Sequence, residues 1–260
     1  MEIICYGCGR GENPENTLEA FLHCLRVNPE WRIEMDVRIT SDHQLVLFHD
    51  DNTLRTTGKN LLIHQLTLKE TQSLNAGYHF NINGHHPYRK TPTPIPALSA
   101  IFRARPKARL LLDIHTNHPK VVTALQNLID TEFEGGDFVI ASKYDDLIKK
   151  LKVLRPNWQY GVPKKAAQKL IYSSRIHLDQ LFPITSDVLM IPEQYGPLKV
   201  LSKRIIEHAH KRQKKVWAWK YEGQSVETFN SAKEWVAMNQ KGIDGIFTEY
   251  PQKLYSEITK

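Results

Sequence analysis

Residues 31–50, Trp31 to Asp50, read WRIEMDVRITSDHQLVLFHD, and the rest of the chain is best read outward from them. Side chains alternate across a strand, so Ile33, Met35 and Val37 share one face and Glu34 and Asp36 share the other. Two carboxylates on one face of an apolar run mark either a solvent-facing acidic strand in an ordinary hairpin or one wall of a metal site. The polar segment Ser41-Asp42-His43-Gln44 reads as a four-residue turn, and Leu45 to His49 as the returning strand. Pairing Thr40 with Leu45 sets Asp36 opposite His49, with Cβ atoms roughly 5 Å apart. The stretch then brings two carboxylates beside an imidazole, which points to metal-assisted chemistry with a base at hand.

Short apolar runs recur along the whole sequence. They are Glu2 to Tyr6, Arg32 to Val37, Leu45 to His49, Arg109 to Ile114, Phe138 to Ser142, Gln159 to Val162, Val188 to Ile191, Lys215 to Trp219 and Gly245 to Thr248. Helical periodicity separates most of them. Thr17 to Leu25 places Leu18, Phe21, Leu22 and Leu25 on one face, with Asn16 as cap and Glu19 three residues on. Lys120 to Leu128 and Leu201 to His210 also read as helices. With Leu45 to His49 assigned to a hairpin, eight strands remain, alternating with helices. That pattern predicts an α/β fold, a (β/α)8 TIM barrel, in which active sites lie at the carboxyl ends of the strands. Tyr6, Glu34, Asp36 and Asp113 all fall near such ends. Residues 75–96, NAGYHFNINGHHPYRKTPTPIP, break the alternation and are expected to form an inserted loop or small subdomain over the barrel mouth, within one domain spanning 1–260. His79, His85 and His86 in that insert lack acidic or cysteine partners nearby in sequence, which argues against a metal site there.

The chain has 260 residues and a formal net charge of +7, which favours anionic partners such as phosphate esters or lipid headgroups. Lys211-Arg212-Gln213-Lys214-Lys215 reads as a solvated loop, and aromatics are not interleaved with basic residues as in an RNA-binding sheet, so no nucleic-acid partner is expected. Three cysteines without regular spacing read as reduced thiols, with Cys8 a quiet small residue. No signal peptide or membrane-length apolar run is read, so a cytoplasmic protein is expected.

Several motifs together resemble the glycerophosphodiester phosphodiesterase family. They are Pro14-Glu15-Asn16-Thr17-Leu18-Glu19-Ala20-Phe21, Ile33-Glu34-Met35-Asp36-Val37, His49-Asp50, Leu54-Arg55-Thr56-Thr57, Ile95-Pro96-Ala97-Leu98 and Gly242-Ile243-Asp244-Gly245-Ile246-Phe247-Thr248-Glu249-Tyr250-Pro251. Trp219 is similar to the tryptophan of the family's WTVN strand. The resemblance implies a TIM barrel, a divalent cation and hydrolysis of glycerophosphodiesters to glycerol 3-phosphate and an alcohol, hence a place in lipid and glycerol metabolism. It implies Glu34, Asp36 and Asp113 as metal ligands, Asp113 standing where the family has glutamate. Hard carboxylate oxygens suit Mg²⁺ or Ca²⁺. It implies His49 as a catalytic imidazole, and Arg10, His115 and Trp219 as substrate-binding residues, His115 standing where the family has lysine. In an alternative reading, Asp113 and His115 form a structural ion pair.

One departure is large. The family's first strand ends in an HRG motif whose histidine is the second catalytic imidazole. Here the sequence reads Cys5-Tyr6-Gly7-Cys8-Gly9-Arg10-Gly11, and either Tyr6 or Gly9 takes that position. Tyr6 follows the apolar strand directly and keeps the loop length. Tyrosine titrates about three units above histidine, so as a base it loses roughly 4 kcal/mol at neutral pH. The expectations are therefore a hydrolase with reduced turnover or, as the alternative, a degenerate relative that binds a phosphodiester or anionic lipid headgroup without cleaving it.

Overall fold

A computed structural model of the chain describes residues 1–222 and 225–260. Contacts group them into two compact units, residues 5–138 and residues 1–4 with 139–260.

The unit of residues 5–138 is built on β2 (Arg32–Ile39), which follows β1 (Glu2–Cys5) and α1 (Leu18–Val27). β4 (Arg109–Ile114) runs parallel to β2, with Arg32 beside Arg109, Asp36 beside Asp113 and Val37 beside Ile114. β3 (Leu45–Leu47) lies antiparallel on the far end of β2. Every residue of β2 is buried. Ile33, Met35, Val37 and Ile39 form one apolar face, and the opposite face carries Arg32, Glu34, Asp36 and Arg38, also withdrawn from water. A solvent-facing acidic strand is thereby ruled out.

The hairpin register differs from the sequence reading by one residue. Ile39 pairs with Leu45 and Val37 with Leu47. His43 adopts a left-handed conformation (φ +62°), and the Thr40 N–H donates to the Gln44 carbonyl at 2.9 Å. The turn is therefore three residues, Ser41 to His43, the tighter hairpin that a left-handed third position permits. Asp36 meets Phe48 across the ladder, its carbonyl accepting from the Phe48 N–H at 2.9 Å. His49 sits past the end of β3 and reaches the site from the segment that follows.

The cap of α1 also shifts by one. The Thr17 hydroxyl accepts from the Ala20 N–H at 3.2 Å, while Asn16 turns left-handed (φ +56°) just outside the helix. In the 75–96 segment, Asn75 bridges to Pro94 and Ala76 N–H donates to the Thr93 carbonyl at 2.8 Å. Its stems are fixed by burial: Leu74, Ala76 and Ile95 share an apolar cluster with Val46, Phe48 and Ile63.

In the other unit, strands Phe138–Ala141, Gln159–Tyr160, Val188–Pro192, Lys215–Glu222 and Gly245–Thr248 follow one another with helices between them. Lys215–Glu222 lies parallel to both Val188–Pro192 and Gly245–Thr248, and Gln159–Tyr160 lies parallel to Phe138–Ala141. No described helix is long and apolar enough to cross a membrane.

Candidate active site

The register between β2 and β4 does most of the assembly. Neighbouring residues of parallel strands project to the same face, so pairing Asp36 with Asp113 sets two carboxylates side by side. Glu34 stands two residues before Asp36, and His115 two residues after Asp113, so all four share that face. An oxygen from each of Glu34, Asp36 and Asp113 lies within 4.8 Å of the others, and the same holds for donor atoms of Asp36, His49 and His115. His79, His85 and His86 belong to neither group.

Each carboxylate is held by named donors. The Gly7 N–H donates to Oε2 of Glu34 at 2.5 Å, from a turn in which Gly7 has φ +54°. A side chain at Gly7 would be strained at that φ and would press on Arg10 at 3.3 Å. Asn16 grips Asp36 twice: its amide donates to Oδ2 at 2.7 Å, and its carbonyl oxygen accepts from the Asp36 N–H at 2.9 Å. Nε2 of His115 stands 3.0 Å from Oδ1 of Asp36 and 3.3 Å from Oδ2 of Asp113.

Glu34 and Asp36 are 2 % and 3 % exposed. Burial pushes the Glu34 carboxyl well up, and the charge of Asp36 adds to it; the Gly7 N–H and Arg10 only partly offset this. Burial likewise raises Asp36, against the pull of His115 and His49. Buried charge without a full complement of opposite charge is costly. Two buried acids in this condition, with an oxygen of Asp113 converging on them, fit a divalent cation, which would offset that cost as scaffold packing does not.

His49 stands beside the acids, its ring 4.7 Å from that of His115 between centroids. Its Nδ1 lies 2.6 Å from Oδ1 of Asp50. Asp50 also accepts from Nε of Arg55 at 2.6 Å, and although burial opposes it, these bonds hold the Asp50 carboxyl below its usual range. An ionised carboxylate only accepts, so Nδ1 of His49 carries the proton and Nε2 keeps a lone pair when the ring is neutral. Arg38 reinforces the placement, donating to the His49 carbonyl from Nε at 2.9 Å and Nη2 at 2.7 Å.

Tyr6 lies in the short turn after β1, half-buried. Burial and the charges of Glu34 and Asp36 drive its phenol far above the ordinary value, so the hydroxyl stays protonated. The Arg10 guanidinium covers its ring at 4.5 Å from the centroid. Gly9 forms the left-handed end of the same turn. Cys8 is fully buried with Sγ 3.7 Å from the Glu34 carbonyl, and burial raises its thiol, which makes it a poor nucleophile. Trp219 belongs to the other unit, where its ring meets Tyr221 edge-on at 6.1 Å.

Asn16, Gly7, Asp50 and Arg55 contact site residues, but the sequence reading gave none of them a place at the site and took Asn16 as a helix cap. Adjacent Asn16 and Thr17 are both capping residue types, and that redundancy was the available signal that one of them serves elsewhere.

The model of the glycerophosphoryl diester phosphodiesterase family matches residues 8–253, and the chain belongs to that family. It is 26% identical over 260 residues to a glycerophosphodiester phosphodiesterase of Bacillus altitudinis, covering 97% of this chain and 96% of the relative. Among solved structures, the glycerophosphoryl diester phosphodiesterase domain of a Mycobacterium tuberculosis protein aligns at TM-score 0.80 and 18% identity, covering 98% of this chain and 97% of that one. An Oleispira antarctica phosphodiesterase in complex with the product sn-glycerol-3-phosphate aligns at TM-score 0.76 and 22% identity, covering 100% and 97%. The fold class is the (β/α)8 TIM barrel expected from the eight strand and helix repeats. Membership places the chain among phosphodiesterase-like hydrolases.

Proposed function

We propose that this chain is a cation-dependent phosphodiesterase that hydrolyses glycerophosphodiesters to glycerol 3-phosphate and an alcohol. The observation that carries the reading is the convergence of Glu34, Asp36 and Asp113 with the oriented imidazole of His49. Family membership supports the reaction class. Glu34, Asp36 and Asp113 would hold the cation, and three carboxylates alone suit Mg²⁺ or Ca²⁺. A bound divalent cation supplies a positive anchor for a phosphoryl oxygen and offsets charge that develops there.

The protein's own groups do the rest. His49 takes a proton at Nε2 from the attacking water, or from a hydroxyl of the substrate glycerol to give a cyclic phosphodiester that water then opens, while Asp50 keeps the ring oriented. Tyr6 is no base, since its phenol stays protonated. It donates a hydrogen bond to the departing oxygen, which leaves as the alcohol on receiving a proton from solvent, while His49 later returns its own proton to solvent. Arg10, stacked on Tyr6, presents its guanidinium to a phosphate oxygen. The whole chain serves as one catalytic domain, and residues 75–96 are its inserted segment.

The test is release of glycerol 3-phosphate from glycerophosphocholine or glycerophosphoethanolamine with each divalent cation in turn. Turnover that disappears with chelator and in His49→Ala is the expected result. Calorimetric binding of the intact diester with no cation-dependent release above the His49→Ala control identifies a degenerate binder, the outcome that Tyr6 in place of an imidazole would favour.

A further inference from the structure

We propose that His115 is a nitrogen ligand of the site cation, so that this chain offers three oxygens and one imidazole in place of an all-oxygen set. The inference rests on the cation site proposed above and goes beyond it in ligand number and cation class. Nε2 of His115 lies 3.0 Å from Asp36 and 3.3 Å from Asp113, and these are two of the three acids that converge there. An ion with ligand bonds of about 2.1 Å holds its ligand atoms roughly 3 to 4 Å apart. The spacing of this nitrogen from both oxygens falls in that range.

The neighbours of His115 favour this assignment over a phosphate-binding role. Its side chain is 15% exposed, its backbone N–H donates to the Val37 carbonyl at 2.9 Å, and Nε2 of its ring faces the two acids. Lysine, the residue expected at this position, carries a fixed charge and contributes no lone pair. A neutral imidazole donates one. Without the ion His115 remains a counter-charge for Asp36, and with the ion bound the same nitrogen becomes a donor to it, which lysine cannot be. His49 is a weaker candidate for the same task, because it lies past the hairpin's end and is tied through Nδ1 to Asp50. It keeps the proton-transfer role.

An imidazole in the set shifts preference from Mg²⁺ and Ca²⁺ towards borderline first-row cations such as Zn²⁺ or Co²⁺. Tighter binding of those ions does not decide the matter, since they bind most sites more tightly. The deciding readout is nitrogen ligation, counted by Zn K-edge X-ray absorption on the full chain loaded with less than one equivalent of Zn²⁺. We expect one imidazole in the wild type and in His49→Gln, and none in His115→Gln or His115→Lys. The ratio of Zn²⁺ to Mg²⁺ affinity should fall at least about tenfold in both His115 variants. A wild-type spectrum with no imidazole, or with two, overturns the assignment without recourse to any variant. So does an imidazole that survives in His115→Gln or vanishes in His49→Gln. Glycerol 3-phosphate release is measured separately: one imidazole with no turnover on any cation removes the proposed reaction and leaves the ligand assignment standing.

Discussion

Asp36 and Asp179 are both buried aspartates in contact with a histidine, at 3 % and 1 % exposure. Asp179 receives Nε of Arg204 on one oxygen at 2.5 Å and Nδ1 of His208 on the other at 2.9 Å. Burial pushes its carboxyl up, but these partners outweigh it and hold the group below its usual range. Burial raises Asp36 as well, and although His115 and His49 pull it down, Asp113 adds to the rise and the group stays above its usual range; Glu34 and Asp113 converge on it. The first cluster has its charge balanced by side chains and pins Asp179 to the helix Lys203–His210. The second is left short of positive charge. Burial and a histidine partner are common to both, so neither marks a functional site; the deficit of counter-charge does.

The contrast can be broken first at His49. His49→Ala should lower cation-dependent turnover by roughly 10²–10⁴-fold, the range for losing a general base, with unfolding by urea unchanged. The mirror experiment is Asp179→Ala, which strands Arg204 and His208. It should cost about 3–5 kcal/mol in urea unfolding, as expected when one partner of a buried pair is removed, while the surviving folded fraction keeps its turnover number. If the loss of stability followed Asp36→Asn instead, the assignment of the two clusters would be reversed.

A finer cut is Asn16→Ala. It removes both bonds to Asp36 without touching the helix cap, and should reduce cation affinity or turnover about 10–100-fold, the effect of losing an outer partner of a ligand. Calorimetry with the cation reads the first and the release assay the second. The smallest effects lie in stability. In chelator-treated protein, Glu34→Gln removes a buried acid whose charged form is disfavoured by burial and by Asp36, and should raise the thermal midpoint by a few degrees, roughly 1 kcal/mol. The acid limb supplies a signed check. Asp179 has a depressed folded pKa, so its contribution is complete above the unfolded value near 4 and is lost as pH falls through the lower folded value. Urea unfolding below pH 4 should therefore show a shallower loss in Asp179→Asn than in the wild type.

Much of this was legible before any coordinates. Eight strands separated by helices gave the barrel, because period-two and period-3.6 patterns are set by which side chains must face inward. The Glu-x-Asp pair was legible for the same reason. What escaped were one-residue choices made by backbone conformation. The left-handed turn at His43 moved the hairpin register, and the left-handed Asn16 passed the cap to Thr17. Asparagine and histidine are among the non-glycine types that most often take a positive φ, but nothing local says which of the many in the chain do so. The meeting of Asp36 with His115 depends on the β2 and β4 register, a pairing between segments more than seventy residues apart that no local pattern encodes.

Arg55 has a mechanical consequence. Its guanidinium clasps Glu15 through two parallel bonds, at 2.7 and 2.6 Å, and Asp50 through a third at 2.6 Å. At an exposed position such bonds add little to folding free energy, yet their fork geometry yokes the loop of Arg10 and Asn16 to the segment of His49. The grip on the acids and the aim of the base are thus tied through one guanidinium, which bridges the two rims of the pocket.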